Sequence, residues 1–128
     1  ASTRGGSETI LLVEDDPSVR IVVRSVLSRL GYRIIEAPTG VSALEVSRLN
    51  RDEIRLLLTD LILPDGMNGK ELAVRLLQEN PQLKIIYTSG YSTDIAGKDL
   101  RLEDGVNFLA KPFEAHKLAQ TVRARLDS

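Results

Sequence analysis

Short, solid apolar runs alternate along the chain with longer stretches in which apolar residues recur every three or four positions. Ile10-Leu11-Leu12-Val13 predicts a strand buried on both faces. Beyond it Val19, Val22, Val23, Val26, Leu27 and Leu30 make one apolar helical face, and Gly31 predicts the stop. The alternation then repeats. Arg33–Ala37 predicts a second strand, polar at its ends as at a sheet edge, and Thr39–Asn50 a second helix with Val41, Leu44 and Leu49 inward. Leu56–Thr59 predicts a third strand, and Lys70–Asn80 a third helix carrying Leu72, Leu76 and Leu77 and ending before Pro81. Lys84–Thr88 predicts a fourth strand. Asp94–Leu102 predicts a weaker helix, because Gly97 inside it costs about 1 kcal/mol relative to alanine. Asn107–Ala110 predicts a fifth strand, and Glu114–Leu126 a last helix with Ala115, Leu118, Ala119, Val122 and Leu126 on one side.

Strand followed by helix, five times over, predicts an α/β fold: a doubly wound, five-stranded parallel sheet with right-handed crossovers and helices on both faces. The matching arrangement is the flavodoxin-like (βα)5 order 2-1-3-4-5. At 128 residues and 42% hydrophobic the chain suits one domain with a real core. Residues 1–8 read as a linker remnant or cloned end, and 9–128 as the domain.

Charge and composition narrow the function classes. The chain has no cysteine, which removes disulfides and thiolate metal sites. A net charge of −1 with acids and bases interspersed gives no basic stripe for nucleic acid and no polybasic run for a membrane surface. The apolar runs are too short to span a bilayer, and Ala1–Ser7 has no hydrophobic signal core. The expectation is a cytoplasmic module making no direct contact with nucleic acid or membrane.

In such a sheet, chemistry collects beyond the carboxyl ends of the strands at the switch in strand order, here between the first and third strands. Glu14, Asp15 and Asp16 follow the first strand directly, and the third ends in Thr59-Asp60. Asp16 precedes Pro17 and a helix, and reads as an N-cap. Glu14, Asp15 and Asp60 would then share one pocket. Three converging carboxylates stay ionised together only with a cation among them, and an oxygen-only set selects a hard ion such as Mg2+. Thr88 closes the fourth strand and Lys111 follows the fifth, so a hydroxyl and an ammonium reach the same rim. Those are the parts for phosphoryl transfer to an aspartate, in which cations offset charge on the equatorial oxygens.

Four segments carry a resemblance. Leu12-Val13-Glu14-Asp15-Asp16, Thr59-Asp60-Leu61-Ile62-Leu63-Pro64, Tyr87-Thr88-Ser89-Gly90 and Ala110-Lys111-Pro112-Phe113, in this order at strand ends, resemble the receiver (response-regulator) domain of two-component systems from about Thr9 to Asp127. The resemblance implies Asp60 as phospho-acceptor on which the domain promotes its own phosphorylation and dephosphorylation. It implies Mg2+ bound by Asp15, Asp60 and the backbone carbonyl of Ile62, with Glu14 acting mainly through water. Thr88 would be the switch hydroxyl, Lys111 the phosphate-contacting lysine, and Lys111–Pro112 a cis bond. Phe108 stands at the position of the switch aromatic, where tyrosine is common, and reads equally as core. The loop Pro64–Gly69 is a residue longer than the usual pattern. That loop and the lead-in Arg4–Thr9 resemble receivers fused to hybrid sensor histidine kinases. The partner implied is a histidine kinase or histidine phosphotransfer domain, with the receiver a monomer or weak dimer, and a hybrid-kinase parent implies a tether to a membrane sensor.

Other readings fit less well. A haloacid-dehalogenase-type phosphatase needs a second acid two residues past its nucleophile, where this chain has Ile62. A flavin or nucleotide binder wants a phosphate-cradling loop after the first strand, where Glu14, Asp15 and Asp16 would repel a phosphate; Gly66–Lys70 lacks P-loop spacing. His116, the one histidine, falls among polar residues of the last helix and reads as solvated. A receiver-shaped interaction module that does not switch by phosphorylation is the remaining alternative.

Overall fold

The computed structural model describes residues 4–90 and 101–128. In chain order the elements are β1 (Thr9–Val13), α1 (Pro17–Arg29), β2 (Arg33–Ala37), α2 (Gly40–Leu49), β3 (Ile54–Asp60), α3 (Gly69–Glu79), β4 (Lys84–Ser89), β5 (Phe108–Ala110) and α4 (Ala115–Asp127). The strands form one parallel sheet in the order β2-β1-β3-β4-β5, as the alternation predicts. Of the helix expected over Asp94–Leu102, positions 94–100 lie outside the described residues, and Arg101 and Leu102 are not helical.

Strand periodicity divides the core in two. Ile10, Leu12, Leu56, Leu58, Ile86 and Leu109 pack against Val23 and Leu27 of α1 and Leu118 and Val122 of α4. Leu11, Val13, Leu57, Ile85, Tyr87 and Phe108 face the other way, against Ala43 of α2 and Leu72, Ala73 and Leu76 of α3. Alternate residues point to opposite faces, so a strand covered on both sides must be apolar throughout. β1 is buried at every position. The edge strand β2 is exposed at Arg33 and fully buried only at Ala37.

The helix faces need correction. Val22, Val41, Leu49 and Ala115 are exposed rather than inward. In α2 the buried positions are Gly40, Ala43 and Ser47, small residues that let the helix lie close to the sheet. Thr121 is buried in α4 and donates its hydroxyl hydrogen to the Lys117 carbonyl at 2.7 Å. Large apolar side chains dominate a periodicity reading, whereas close packing selects by fit, and small or self-satisfied polar residues serve as well.

The lead-in before β1 packs against the body of the domain. Gly6 N–H donates to Leu30 O at 3.1 Å, and Arg33 N–H to Glu8 O at 3.1 Å. A Cβ at Gly5 would stand 1.9 Å from Leu30 O, so no larger residue fits there without movement. Arg123 of α4 binds this segment with a largely buried guanidinium. It donates to Glu8 at 2.6 and 3.1 Å, to Asp127 at 2.8 and 3.3 Å, and to the Gly5 carbonyl at 3.2 Å, with Tyr32 under it.

Hydrogen bonds from Arg123 hold the Glu8 carboxyl below the usual glutamate range. A depressed folded-state pKa contributes stability that is present above the unfolded value, about 4.5, and lost as pH falls through the folded one. Arg123→Met is therefore expected to cost about 1–2 kcal/mol near pH 7, partial exposure of Glu8 keeping the loss modest. The gap to the unaltered chain should shrink below about pH 4.5. Urea titrations of both proteins across pH 3–7 check this; a gap independent of pH contradicts it. Gly69, at the start of α3, is a second sensitive point. An added Cβ would meet the Asp60 carbonyl oxygen at 2.2 Å and Leu61 Cα at 3.1 Å, both backbone atoms. Gly69→Ala is expected to destabilise by about 1–3 kcal/mol, measured by the same titration.

Candidate functional site

Register alone assembles the site. Val13 lies opposite Thr59, so Glu14 and Asp60 leave β1 and β3 side by side at the switch in strand order. Asp60 pairs with Thr88 across β3 and β4, and Ser89 with Ala110 across β4 and β5. Lys111 N–H donates to Ser89 O at 2.8 Å, which carries its side chain back over the same rim. The Lys111–Pro112 bond is cis, in agreement with the sequence expectation.

Lys111 stands between two acids. Its Nζ donates to Glu14 Oε1 at 2.5 Å and to Asp60 Oδ2 at 2.7 Å. Glu14 is 3% exposed and Asp60 8%, so both carboxylates are withdrawn from water and need this cation. Burial pushes the Glu14 carboxyl above the ordinary range, opposed by hydrogen bonds from Lys111 and the Asp16 N–H. Burial also works against the charge on Lys111. The Asp60 and Glu14 hydrogen bonds outweigh it and hold the ammonium above the usual lysine value.

Backbone groups complete the frame. Asp16 N–H donates to Glu14 Oε2 at 3.0 Å, and Ile62 N–H to Asp60 Oδ1 at 3.3 Å. Asp16 is the N-cap of α1: its Oδ1 accepts from Ser18 N–H at 2.9 Å, with Pro17 opening the helix. Asp15 is exposed, yet one oxygen from each of Glu14, Asp15 and Asp60 lies within 4.8 Å of the others. This oxygen-only set, with one member open to water, fits a hard divalent cation that keeps part of its hydration.

The structure thus gathers Glu14, Asp15, Asp60 and Lys111 in direct proximity, with buried Thr88 on the neighbouring strand end. Phe108 is buried in the core beside Tyr87, its partner in register. Two contributors escaped the sequence reading. Gly69 gives α3 its close approach to the Asp60 backbone, and Arg20 donates to the Glu14 carbonyl at 2.7 Å. The glycine lay inside a turn-rich loop, and the arginine looked like one more polar residue on an exposed helix face.

Known proteins agree with this geometry. The model of the response regulator receiver domain matches residues 10–123. The chain is 38% identical over 128 residues to the sensor kinase CckA of Brucella abortus (strain 2308), an alignment covering 99% of this chain and 13% of that protein. It is 34% identical to the response regulator receiver protein CpdR of the same organism, over 91% of this chain and 95% of that one. Among solved structures, the receiver domain of the hybrid histidine kinase CckA superposes with a TM-score of 0.77 at 34% identity, covering 92% of this chain and 98% of that one. With its acids, lysine and strand-end hydroxyl on one rim of a 2-1-3-4-5 sheet, the chain belongs to the response regulator receiver domains, the phosphoryl-accepting modules of two-component systems.

Proposed function

We propose that Asp60 is the acceptor, taking a phosphoryl group from a phosphohistidine with the help of Mg2+. The observation that carries this reading is the Lys111 ammonium held between buried Glu14 and Asp60 at 2.5 and 2.7 Å. An ionised carboxylate needs no general base. As the Asp60 oxygen–phosphorus bond forms, the donor's phosphorus–nitrogen bond breaks and its electron pair returns to the imidazole. Lys111 is already hydrogen-bonded to the Asp60 carboxylate, so a short turn of its ammonium away from Glu14 would let its charge offset the equatorial oxygens of a phosphoryl group on Asp60. Magnesium held by Asp15, Asp60 and the Ile62 carbonyl, with Glu14 through water, would supply further charge compensation at those oxygens. Thr88, next to Asp60 in register, turns its hydroxyl to the loaded phosphate, and Phe108 follows from its buried seat, shifting a two-state equilibrium read by an output partner.

The donor's approach is suggested by an apolar groove beside Lys111. Val19, Val22 and Val23 of α1 face Pro112 and Phe113 across it, and Val22 is 61% exposed. We read this as the seat of a helical histidine kinase or phosphotransfer domain. The similarity to a sensor kinase over 99% of the chain supports a parent of the hybrid-kinase type, with this domain in the cytoplasm. Among the described residues no helix is long and apolar enough to cross a membrane.

Intact mass after incubation with a small phosphodonor tests the chemistry. The expected result is a magnesium-dependent gain of one phosphoryl group, absent in Asp60→Asn; no gain in the unaltered chain, or a gain retained in the variant, contradicts it. The groove has its own test. Val22→Ser is expected to slow transfer from a phosphohistidine donor roughly fivefold, about 1 kcal/mol, while leaving loading from the small phosphodonor unchanged. Equal loss with both donors would place Val22 outside the docking surface.

A further inference from the structure

Every polar group of Glu14 is engaged. Its N–H donates to Ala37 O at 3.1 Å, Oε2 accepts from Asp16 N–H at 3.0 Å, and Oε1 accepts from Lys111 at 2.5 Å. The fourth bond comes from α1: an Arg20 guanidinium N–H donates to the Glu14 carbonyl oxygen at 2.7 Å. That guanidinium is tethered a second time, with Nε 3.4 Å from Glu36 Oε1, one residue before the Ala37 that holds Glu14 N–H. Arg24 pairs with the other Glu36 oxygen at 3.0 Å but makes no hydrogen bond to the acidic loop.

The carbonyl in question belongs to the peptide joining Glu14 to Asp15. A peptide unit is planar, so fixing that oxygen also fixes the nitrogen and Cα from which Asp15 projects. Asp15 has no side-chain hydrogen bond or ion pair among the described residues, so its aim depends on its backbone. The Arg20 side chain is 22% exposed and Glu36 27%, which shields this pair from water and makes it a firmer tether than a surface salt bridge.

We propose that Arg20 is a positioning residue for the acidic pocket, setting the Glu14–Asp15 peptide so that both carboxylates face Asp60. This rests on the magnesium-dependent role proposed for the pocket. Arg20 touches no reacting atom; it acts through the loop, as outer partners act on the ligands of a metal site. A purely structural staple between α1 and β2 would behave differently, since its loss would lower stability and leave the affinity for magnesium alone. Arg24 supplies the comparison, sharing Glu36 without holding the loop.

The test is a magnesium titration followed by amide NMR shifts on the unaltered chain, Arg20→Ala, Arg20→Lys and Arg24→Ala, with thermal melts alongside. Arg20→Ala should weaken magnesium binding roughly tenfold. Arg20→Lys should fall between, because an ammonium can reach the carbonyl without the second tether to Glu36. Arg24→Ala should bind as the unaltered chain does. At saturating magnesium, loading of Asp60 in Arg20→Ala should return close to the unaltered level, placing the deficit in affinity. Unchanged affinity in Arg20→Ala, or an equal loss in Arg24→Ala, overturns the proposal and leaves the receiver reading intact. If Arg20→Ala does not fold, Arg20→Lys decides: a weakened affinity supports the proposal and an unchanged one overturns it. An unaltered chain that takes up no magnesium overturns both readings.

Discussion

Two carboxylates cannot be buried side by side without a cation, and in this domain the cation is the Lys111 ammonium. Glu14 and Asp60 are almost without solvent, and each would cost several kcal/mol as an isolated buried charge. Held between them, Lys111 turns a mutual repulsion into a satisfied triad. The same ammonium presents positive charge where a phosphoryl group on Asp60 would carry negative charge. With Asp60 as the proposed acceptor, the contact that stabilises the resting site would also ready it for transfer.

The rest of the fold serves that contact. Apolar strands, each required to be buried on both faces, set the sheet order, and that order puts β1 beside β3. Register then brings Glu14 next to Asp60, and the Ser89 carbonyl receives the Lys111 N–H so that its side chain returns to the rim. Gly69 lets α3 close against the Asp60 backbone, and Asp16 caps α1 so that the acidic loop ends cleanly in a helix. At the opposite end of α4, Arg123 ties the lead-in to the body through Glu8 and Gly5. A segment read as a linker remnant is therefore packed against the domain from Gly5 onward, because its glycines permit approaches that a Cβ would block.

Strand order, the two-sided burial of the sheet and the convergence of Glu14, Asp15, Asp60 and Lys111 were legible in the sequence, since solid apolar runs and charged residues at strand ends leave a one-dimensional trace. Asp16 as an N-cap was equally legible, because capping is local chemistry. Helix faces were less so. Val41 and Leu49 suggested the inward side of α2, whereas Ala43 and Ser47 occupy it. Val22 suggested core and instead borders an apolar groove with Phe113. Arg20 and Gly69 were invisible for a different reason. Their roles are contacts to backbone atoms of residues in other elements or loops, and hydrophobic periodicity carries no information about such contacts. Phe108 is buried in the core beside Tyr87, as its core reading expects.

A crystal structure of the chain grown with magnesium and beryllofluoride, a mimic of the phosphoryl group, would show whether Lys111 passes from the two carboxylates to a group carried by Asp60. The mimic is expected on an Asp60 carboxylate oxygen, with Lys111 Nζ turned to its fluorines and no longer bridging Glu14 and Asp60. Beryllofluoride bound at another carboxylate, or on Asp60 with the Lys111 bridge unchanged, would contradict it.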